Sequence, residues 1–205
     1  MSDQKRPYRM KRRAELEDQT RRKITESAVA LHKELGPAQT SISAIAERAG
    51  VRRSTVYRHF PDEEALFDAC SSHWSAANPP PEPRTWSSIE DPAARTRTAL
   101  RQVYAFYEST ETMYVSLLRD EPLVPAVRYR LRDFYGYLRS IQEGLTTGRG
   151  LRGRRAQYVR AAIGHALAFP TWRSLTREQG LSTDDAVELM CRLVEDAASS
   201  SRASR

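Results

Sequence analysis

Cysteine is scarce: two residues, Cys70 and Cys191, in a chain of 205. That excludes a disulfide framework, and no C-x-x-C or Cys/His group of metal-ligand spacing occurs, so no metal and no other cofactor is expected. Cys70 and His73 form an i, i+3 pair, but two ligands do not make a site. The chain also lacks an apolar run long enough to span a bilayer. Its opening, MSDQKRPYRMKRRAELEDQ, is charged throughout where a signal peptide needs an apolar stretch. The expectation is a soluble, cytoplasmic protein with reduced thiols and no membrane partner. Missing too are a Gly-rich phosphate loop, a G-x-S-x-G elbow and an H-E-x-x-H pair, and His32, His59, His73 and His165 are each explicable without chemistry. An enzyme is not expected. Finally, no segment has the two-residue period of a strand and no internal repeat is visible, which leaves an all-α fold.

What the chain does have is charge in one place. Residues 1 to 60 hold 14 Lys and Arg against 7 Asp and Glu, whereas residues 61 to 205 hold 19 of each, so the whole formal surplus of +7 lies in the first 60. A basic head on a neutral body fits a polyanion partner, because neutralising phosphates is the sequence-independent part of nucleic-acid affinity. A tail kept basic for solubility is the alternative at this stage.

Periodicity then divides the chain. Residues 1–17 are basic and poor in apolar groups and read as a disordered arm. From about Asp18 the pattern is helical, with Ile24, Ala28, Leu31 and Leu35 stepping by four, three and four until Gly36-Pro37. A shorter helix follows Ser41, a good N-cap, and runs through Ile42, Ile45 and Ala46 to Gly50. Next comes VRRSTVYRHF, Val51 to Phe60. At about 100° per residue Val56 and Phe60 point one way and Ser54 and Arg58 nearly the opposite way. Two short helices joined by a glycine turn after a longer one make a helix-turn-helix candidate over residues 18–66, and the second helix of such a pair enters the major groove. After a fourth helix carrying Leu66, Ala69, Cys70 and His73, the proline-rich NPPPEPRT (residues 78–85) reads as a non-helical connector. The rest, assigned with the fourth helix to a helical body of residues 67–205, contains several helices. One starts at Asp91-Pro92, a short one covers Thr110 to Arg119, one follows Val127, Leu131, Phe134, Leu138, Ile141 and Leu145, and a long one runs from Tyr158 to Trp172. The last covers Asp184 to Ala198.

The stretch TSISAIAERAGVRRSTVYRHFPDEEAL, Thr40 to Leu66, resembles the helix-turn-helix signature of the tetracycline-repressor (TetR) family of bacterial transcription regulators. The resemblance implies an N-terminal three-helix DNA-binding domain followed by a helical ligand-binding and dimerisation domain. It implies a homodimer on a palindromic double-stranded DNA operator, with recognition helices about 34 to 36 Å apart, released by a small-molecule effector that the sequence does not identify. A repressor is the expected role. Carried over by position, Thr55, Tyr57 and His59 match phosphate and groove contacts, Arg53, Ser54 and Arg58 match positions that vary with the operator, and Ser41 and Ser43 match backbone contacts of the supporting helix. Two positions depart from the pattern. Arg52 stands where a serine cap is common, so either another group caps the helix or Arg52 trades the cap for a phosphate contact. Glu63 stands where a lysine is common, which removes a phosphate clamp. A second reading is therefore a small-molecule-binding helical protein whose basic head binds DNA without defined sequence.

In the body, Tyr104, Tyr107, Tyr137, His165 and Phe169 are the candidate effector contacts, with ordinary core packing as the alternative for each. For His165, on an apolar face, that alternative is a hydrogen-bonded core histidine. Ala186, Met190, Leu193 and Ala197, at steps of four, three and four, are the candidate dimer interface or else an intrachain core stripe.

Overall fold

A computed structural model of the chain describes residues 5–199 and, within them, the side chains of residue 8 and residues 10–199. The all-α expectation holds: among the described residues there are helices and no strand. In chain order they are α1 (Lys5–Glu34), α2 (Ile42–Arg48), α3 (Arg53–His59), α4 (Glu63–Ala77), α5 (Arg84–Ser87), α6 (Pro92–Asp120), α7 (Pro125–Thr146), α8 (Gly153–Ala166), α9 (Phe169–Arg173) and α10 (Thr183–Ser199). A 3₁₀ turn covers Pro37–Gln39 and a π-helical turn covers Ser174–Glu178. The chain divides into two compact units, Met1–Pro79 with Thr112–Arg130, and Pro80–Glu111 with Leu131–Arg205. The boundary expected after residue 66 falls inside α4, which packs on α1.

The first unit forms around three of the four stripe residues expected from the sequence; the fourth, Leu35, lies just past the end of α1 and is 41% exposed. Ile24, Ala28 and Leu31 of α1 are buried with Ile42, Ile45 and Ala46 of α2, Val56 and Phe60 of the α3 region, and Leu66, Phe67 and Cys70 of α4. Ser41 caps α2 by accepting from the Ala44 N–H at 3.1 Å, and Asp62 caps α4 by accepting from the Ala65 N–H at 2.7 Å. Gly50, at φ 66°, makes the reversal between α2 and α3 in the left-handed region that glycine adopts without penalty.

Four readings of local structure need correction. The disordered arm is helical from Lys5, and residues 1–4 lie outside the described residues. Once α1 is nucleated by its packed half, straight-chain Lys, Arg, Met, Glu and Leu prolong it at little cost, and Arg13 pairs with Glu17 one turn away at 3.2 Å. The short helix assigned to Thr110–Arg119 is the end of α6: the Ser109 and Thr110 hydroxyls donate back to the Phe106 carbonyl at 2.9 and 2.5 Å, so polar residues that suggested a break sit inside the helix. The long helix from Tyr158 to Trp172 stops at Ala166 and restarts as α9, with Pro170 in its first turn. The connector also ends in a single helical turn, α5.

The second unit is built on α8 and α10, which pack together, with Leu100, Val103, Tyr104 and Tyr107 of α6 and Ile141 and Leu145 of α7 in the core. Arg149, in the loop after α7, knots three of these helices. Its side chain, 5% exposed, donates to the Leu145 carbonyl (3.0 Å), the Pro92 carbonyl (3.1 Å), the Thr96 hydroxyl (2.7 Å) and the Glu195 carboxylate (2.9 Å). A charge so placed is tolerated because every acceptor is supplied, and its removal strands several of them. Arg149→Ala is expected to lower unfolding free energy by roughly 2 to 4 kcal/mol, whereas exposed Arg152→Ala changes it by less than about 0.5; denaturant titration of the two variants checks the contrast.

Candidate nucleic-acid interface

The seven residues of α3 separate cleanly by side. Val56 and, just beyond the helix, Phe60 are buried, while Arg53, Ser54, Tyr57 and Arg58 are exposed and Thr55 and His59 are half-buried. At about 100° per residue Ser54 and Arg58 lie farthest around the helix from Val56. On that outer side Arg53 donates to the Tyr57 hydroxyl at 3.1 Å and its guanidinium sits 5.5 Å from the Tyr57 ring centroid. The pair preorganises two of the proposed contacts. Arg58 and Arg52 are exposed, each a charge with donors only, able to meet a phosphate or the O6/N7 edge of guanine.

Arg52 occupies the N-cap position of α3 in extended geometry and its side chain caps nothing. Among the described residues no other side chain supplies the cap either; the first turn is closed by the Thr55 N–H on the Arg52 carbonyl at 2.8 Å. Ser41 uses its oxygen as the α2 cap, leaving its hydroxyl proton to donate, and Ser43 is exposed on the same helix. Glu63 is exposed in the first turn of α4, near enough to Arg53 to favour its charge.

Residues the sequence reading passed over hold this surface in place. Arg21 of α1 donates to the His59 carbonyl at 2.6 Å, satisfying an end-of-helix acceptor, and lies 4.2 Å from the Phe60 ring centroid. Its signal was a cation on the same side of α1 as Ile24 and Ala28. Burial first, then the charges of Arg58 and Arg21, lower the His59 pKa. Its Nε2 is buried without a partner, so His59 has a donor or acceptor to spare. Arg48 of α2 grips Glu34 of α1 through two bonds of 2.5 and 2.6 Å.

The turn leading into α2 is fastened by the end of α6. Asp120, its side chain 2% exposed, accepts from the Ala38 N–H at 2.9 Å and from Arg119 at 2.7 Å, while Arg119 donates to the Leu35 carbonyl at 2.6 Å. Gly36 passes so close that a Cβ there would collide with Arg119 Nη2 and Asp120 Oδ2. The Arg119 bond, then the Ala38 N–H, hold the Asp120 carboxyl below the usual range. Behind this turn His32 is buried 3.5 Å from Cys70 Sγ, and burial, only partly offset by the Asp120 charge, drops its pKa to about 4. Cys70 is likewise pushed up to about 12 by burial and stays a thiol.

In the second unit three of the five effector candidates, Tyr104, Tyr107 and Phe169, are buried in the core. Tyr104 and Tyr107 are fully buried, and their hydroxyls donate to the Ala166 and Leu167 carbonyls at 2.9 and 2.6 Å, closing the end of α8. Phe169 is buried against Tyr107 and Trp172 with centroids 5.2 and 5.4 Å apart, and half-buried Tyr137 donates to the Pro81 carbonyl at 2.6 Å. His165 is exposed, not a core residue: the α8 face it shares with Tyr158 and Ala161 points outward, and its Nδ1 lies 3.4 Å from the Thr171 hydroxyl. The stripe on α10 splits as well. Ala186 and Met190 are buried inside the unit, Ala197 is half-buried, and Leu193 is 43% exposed together with Leu189. A step of seven residues on a straight helix drifts by about 20°, and steps of four and three read alike from both sides of the buried face. No group of three or more potential metal ligands occurs among the described residues. None of their helices is long and apolar enough to cross a membrane.

Residues 24–70 match the family model "Bacterial regulatory proteins, tetR family". No curated protein matches the chain. Among solved structures, a TetR-like transcriptional regulator from Rhodococcus sp. RHA1 superposes with a TM-score of 0.61 at 16% identity, covering 89% of this chain and 97% of that one. A TetR-family regulator from Mesorhizobium loti gives 0.58 at 19% identity, with 89% and 96% covered. NalD of Pseudomonas aeruginosa, the secondary repressor of the MexAB-OprM multidrug efflux pump, gives 0.56 at 18%, with 88% and 96% covered. Residues 24–70 are thus similar to the tetR-family model, and the chain shares the fold of TetR-like regulators over 89% of its length.

Between about pH 6.5 and 4 the unfolded chain binds a proton at position 32 that the folded chain refuses, so stability falls as pH drops through that window, by about 3 kcal/mol at its full extent. Asp120 acts in the same sense below the ordinary carboxylate range. Unfolding midpoints measured from pH 7 to 4.5 should decline in the wild type and flatten in His32→Leu.

Proposed function

We propose that this chain, with a tetR-family head on a body of TetR-like fold, is a cytoplasmic, homodimeric DNA-binding transcriptional regulator. On this reading it represses from a palindromic operator and is released by a small molecule. The observation that carries the reading is the partition of α3. A buried side fixed by Val56, Phe60 and Arg21 carries an outward side, Arg53, Ser54, Tyr57 and Arg58, with no structural duty beyond the Arg53–Tyr57 pair. Arginine in a major groove makes its most specific contact with guanine, while Ser41, Ser43, Arg52, Thr55, Tyr57 and His59 are suited to phosphate.

Dimerisation is supported by apolar groups that the chain itself leaves uncovered. Tyr158 of α8 is 48% exposed and Leu189 and Leu193 of α10 are each 43% exposed, on two helices that pack side by side. Two copies of such a surface make a self-complementary contact of the kind a two-fold axis requires. Leu193 and Ala197 therefore stay in the proposed interface with Leu189, whereas Ala186 and Met190 support α10 from within.

An effector site in the second unit is supported by the Trp172 indole. Its Nε1 is buried without an acceptor beside Tyr107 and Phe169, immediately before a π-helical turn, an irregularity frequent at functional sites. An effector accepting that hydrogen bond and preferring the dimer that does not hold DNA shifts the population off the operator.

Selection from a random double-stranded library is expected to enrich an inverted repeat, and Arg58→Ala to cost roughly 1 to 3 kcal/mol on that repeat while relaxing its sequence preference. Enrichment of no repeat sinks the reading in favour of a head without defined specificity. Leu193→Glu is expected to shift the protein to monomer in sedimentation while its helical content persists; an unchanged dimer places the interface elsewhere.

A further inference from the structure

Among the described side chains of α1 ahead of Thr20, none is buried against the rest of the protein. All residues from Met10 to Gln19 are exposed, and at 1.5 Å per residue the segment from Lys5 to Thr20 extends about 24 Å beyond the packed half of the helix. Its foot is fixed: Arg21 is bonded to the carbonyl of His59 and lies on the ring of Phe60, at the end of α3. The extension therefore departs from beside the helix proposed to read DNA, and Lys11, Arg12 and Arg13 stand about 12 to 15 Å along it. That is the length of roughly four base pairs.

What could cover it follows from the residue types. Tyr8, Met10 and Leu16 are exposed, but at 100° per residue they fall at about 200°, 40° and 280° from Ile24. No apolar face forms, so neither a partner helix nor a bilayer surface is matched. The cations are arranged otherwise. Lys11, Arg12 and Arg13 are consecutive and exposed, spanning an arc of about 200°, with no acid between residues 5 and 13. Charge on every side suits a partner recognised through charge alone. The bond from Arg13 to Glu17 is a surface pair with side chains 83% and 56% exposed, of little net worth and free to exchange for a phosphate.

We propose that the helical extension of α1 is a second DNA-contacting element, in which Lys11, Arg12 and Arg13 neutralise phosphates of duplex DNA flanking the bases addressed by α3. The proposal rests on the DNA-binding reading but not on sequence specificity. It makes the extension a rigid outrigger that adds affinity and footprint without adding base preference.

The test is a salt titration of binding to a random-sequence duplex and to any enriched repeat. It compares wild type, a combined Lys11→Ala, Arg12→Ala, Arg13→Ala variant, and a charge-matched Arg152→Ala, Arg154→Ala, Arg155→Ala variant in the second unit. Alanine preserves the helix, so circular dichroism should be unchanged. The first variant should weaken binding on both duplexes and reduce the slope of log affinity against log salt by about 2 to 3 per protomer, while the second leaves the slope alone. An unchanged slope in the first variant, or an equal fall in both, overturns the proposal, the latter assigning the effect to net charge. A loss confined to the enriched repeat overturns the phosphate role. Should wild type show no preferred sequence, the regulator reading fails, yet the slope on random duplex still decides the role of the extension.

Discussion

A helix of seven residues is too short to hold itself together in water, since its few internal bonds barely offset the cost of nucleation. The surface proposed to read DNA is carried by such a helix, and one without a side-chain cap. Its conformation is therefore borrowed. Val56 and Phe60 are buried where α3 packs on α1 and α2, and Arg21 closes the exit by taking the His59 carbonyl and covering the Phe60 ring. Everything on the outward side follows from that inner attachment: with the apolar side fixed, the roll of α3 is set, and with it which side chains face outward.

The same dependence runs back along the first unit. Glu34 and Arg48 tie the end of α1 to α2, and the turn between those helices is pinned by Asp120 and Arg119 where Gly36 leaves room for them. The buried histidine behind that turn is held neutral by its surroundings, so the turn is sensitive to acid although no group in it titrates near neutrality.

Much of this was legible in the sequence because it is local. The α1 stripe, the Ser41 cap, the Gly50 reversal and the two sides of α3 depend on residues within one or two turns of each other, where periodicity and capping chemistry speak directly. The absent cap at Arg52 was legible for the same reason. Long-range attachments were not: Asp120 lies 82 residues from Ala38, and nothing near either position announces the other. In the second unit a stripe such as Ala186, Met190, Leu193 and Ala197 shows that one side of a helix is apolar, but α10 carries apolar groups on two sides, and only packing decides which is inside. His165 was misread likewise, because Ala161 and Tyr158 look like core neighbours although all three face outward. The extension of α1 is hidden for a different reason: its charge and lack of apolar groups argue for disorder, whereas its straight-chain residues prolong the helix already formed behind it.

The Arg21 contact with the end of α3 also bears on retargeting. Residues 53, 54 and 58 are all exposed, so on the proposed reading sequence preference is a replaceable veneer. Arg21, Val56 and Phe60 must travel as a set, though they are separated by more than thirty residues. A transplant of the reading helix alone would carry the alphabet and leave behind the hand that holds it at the right angle.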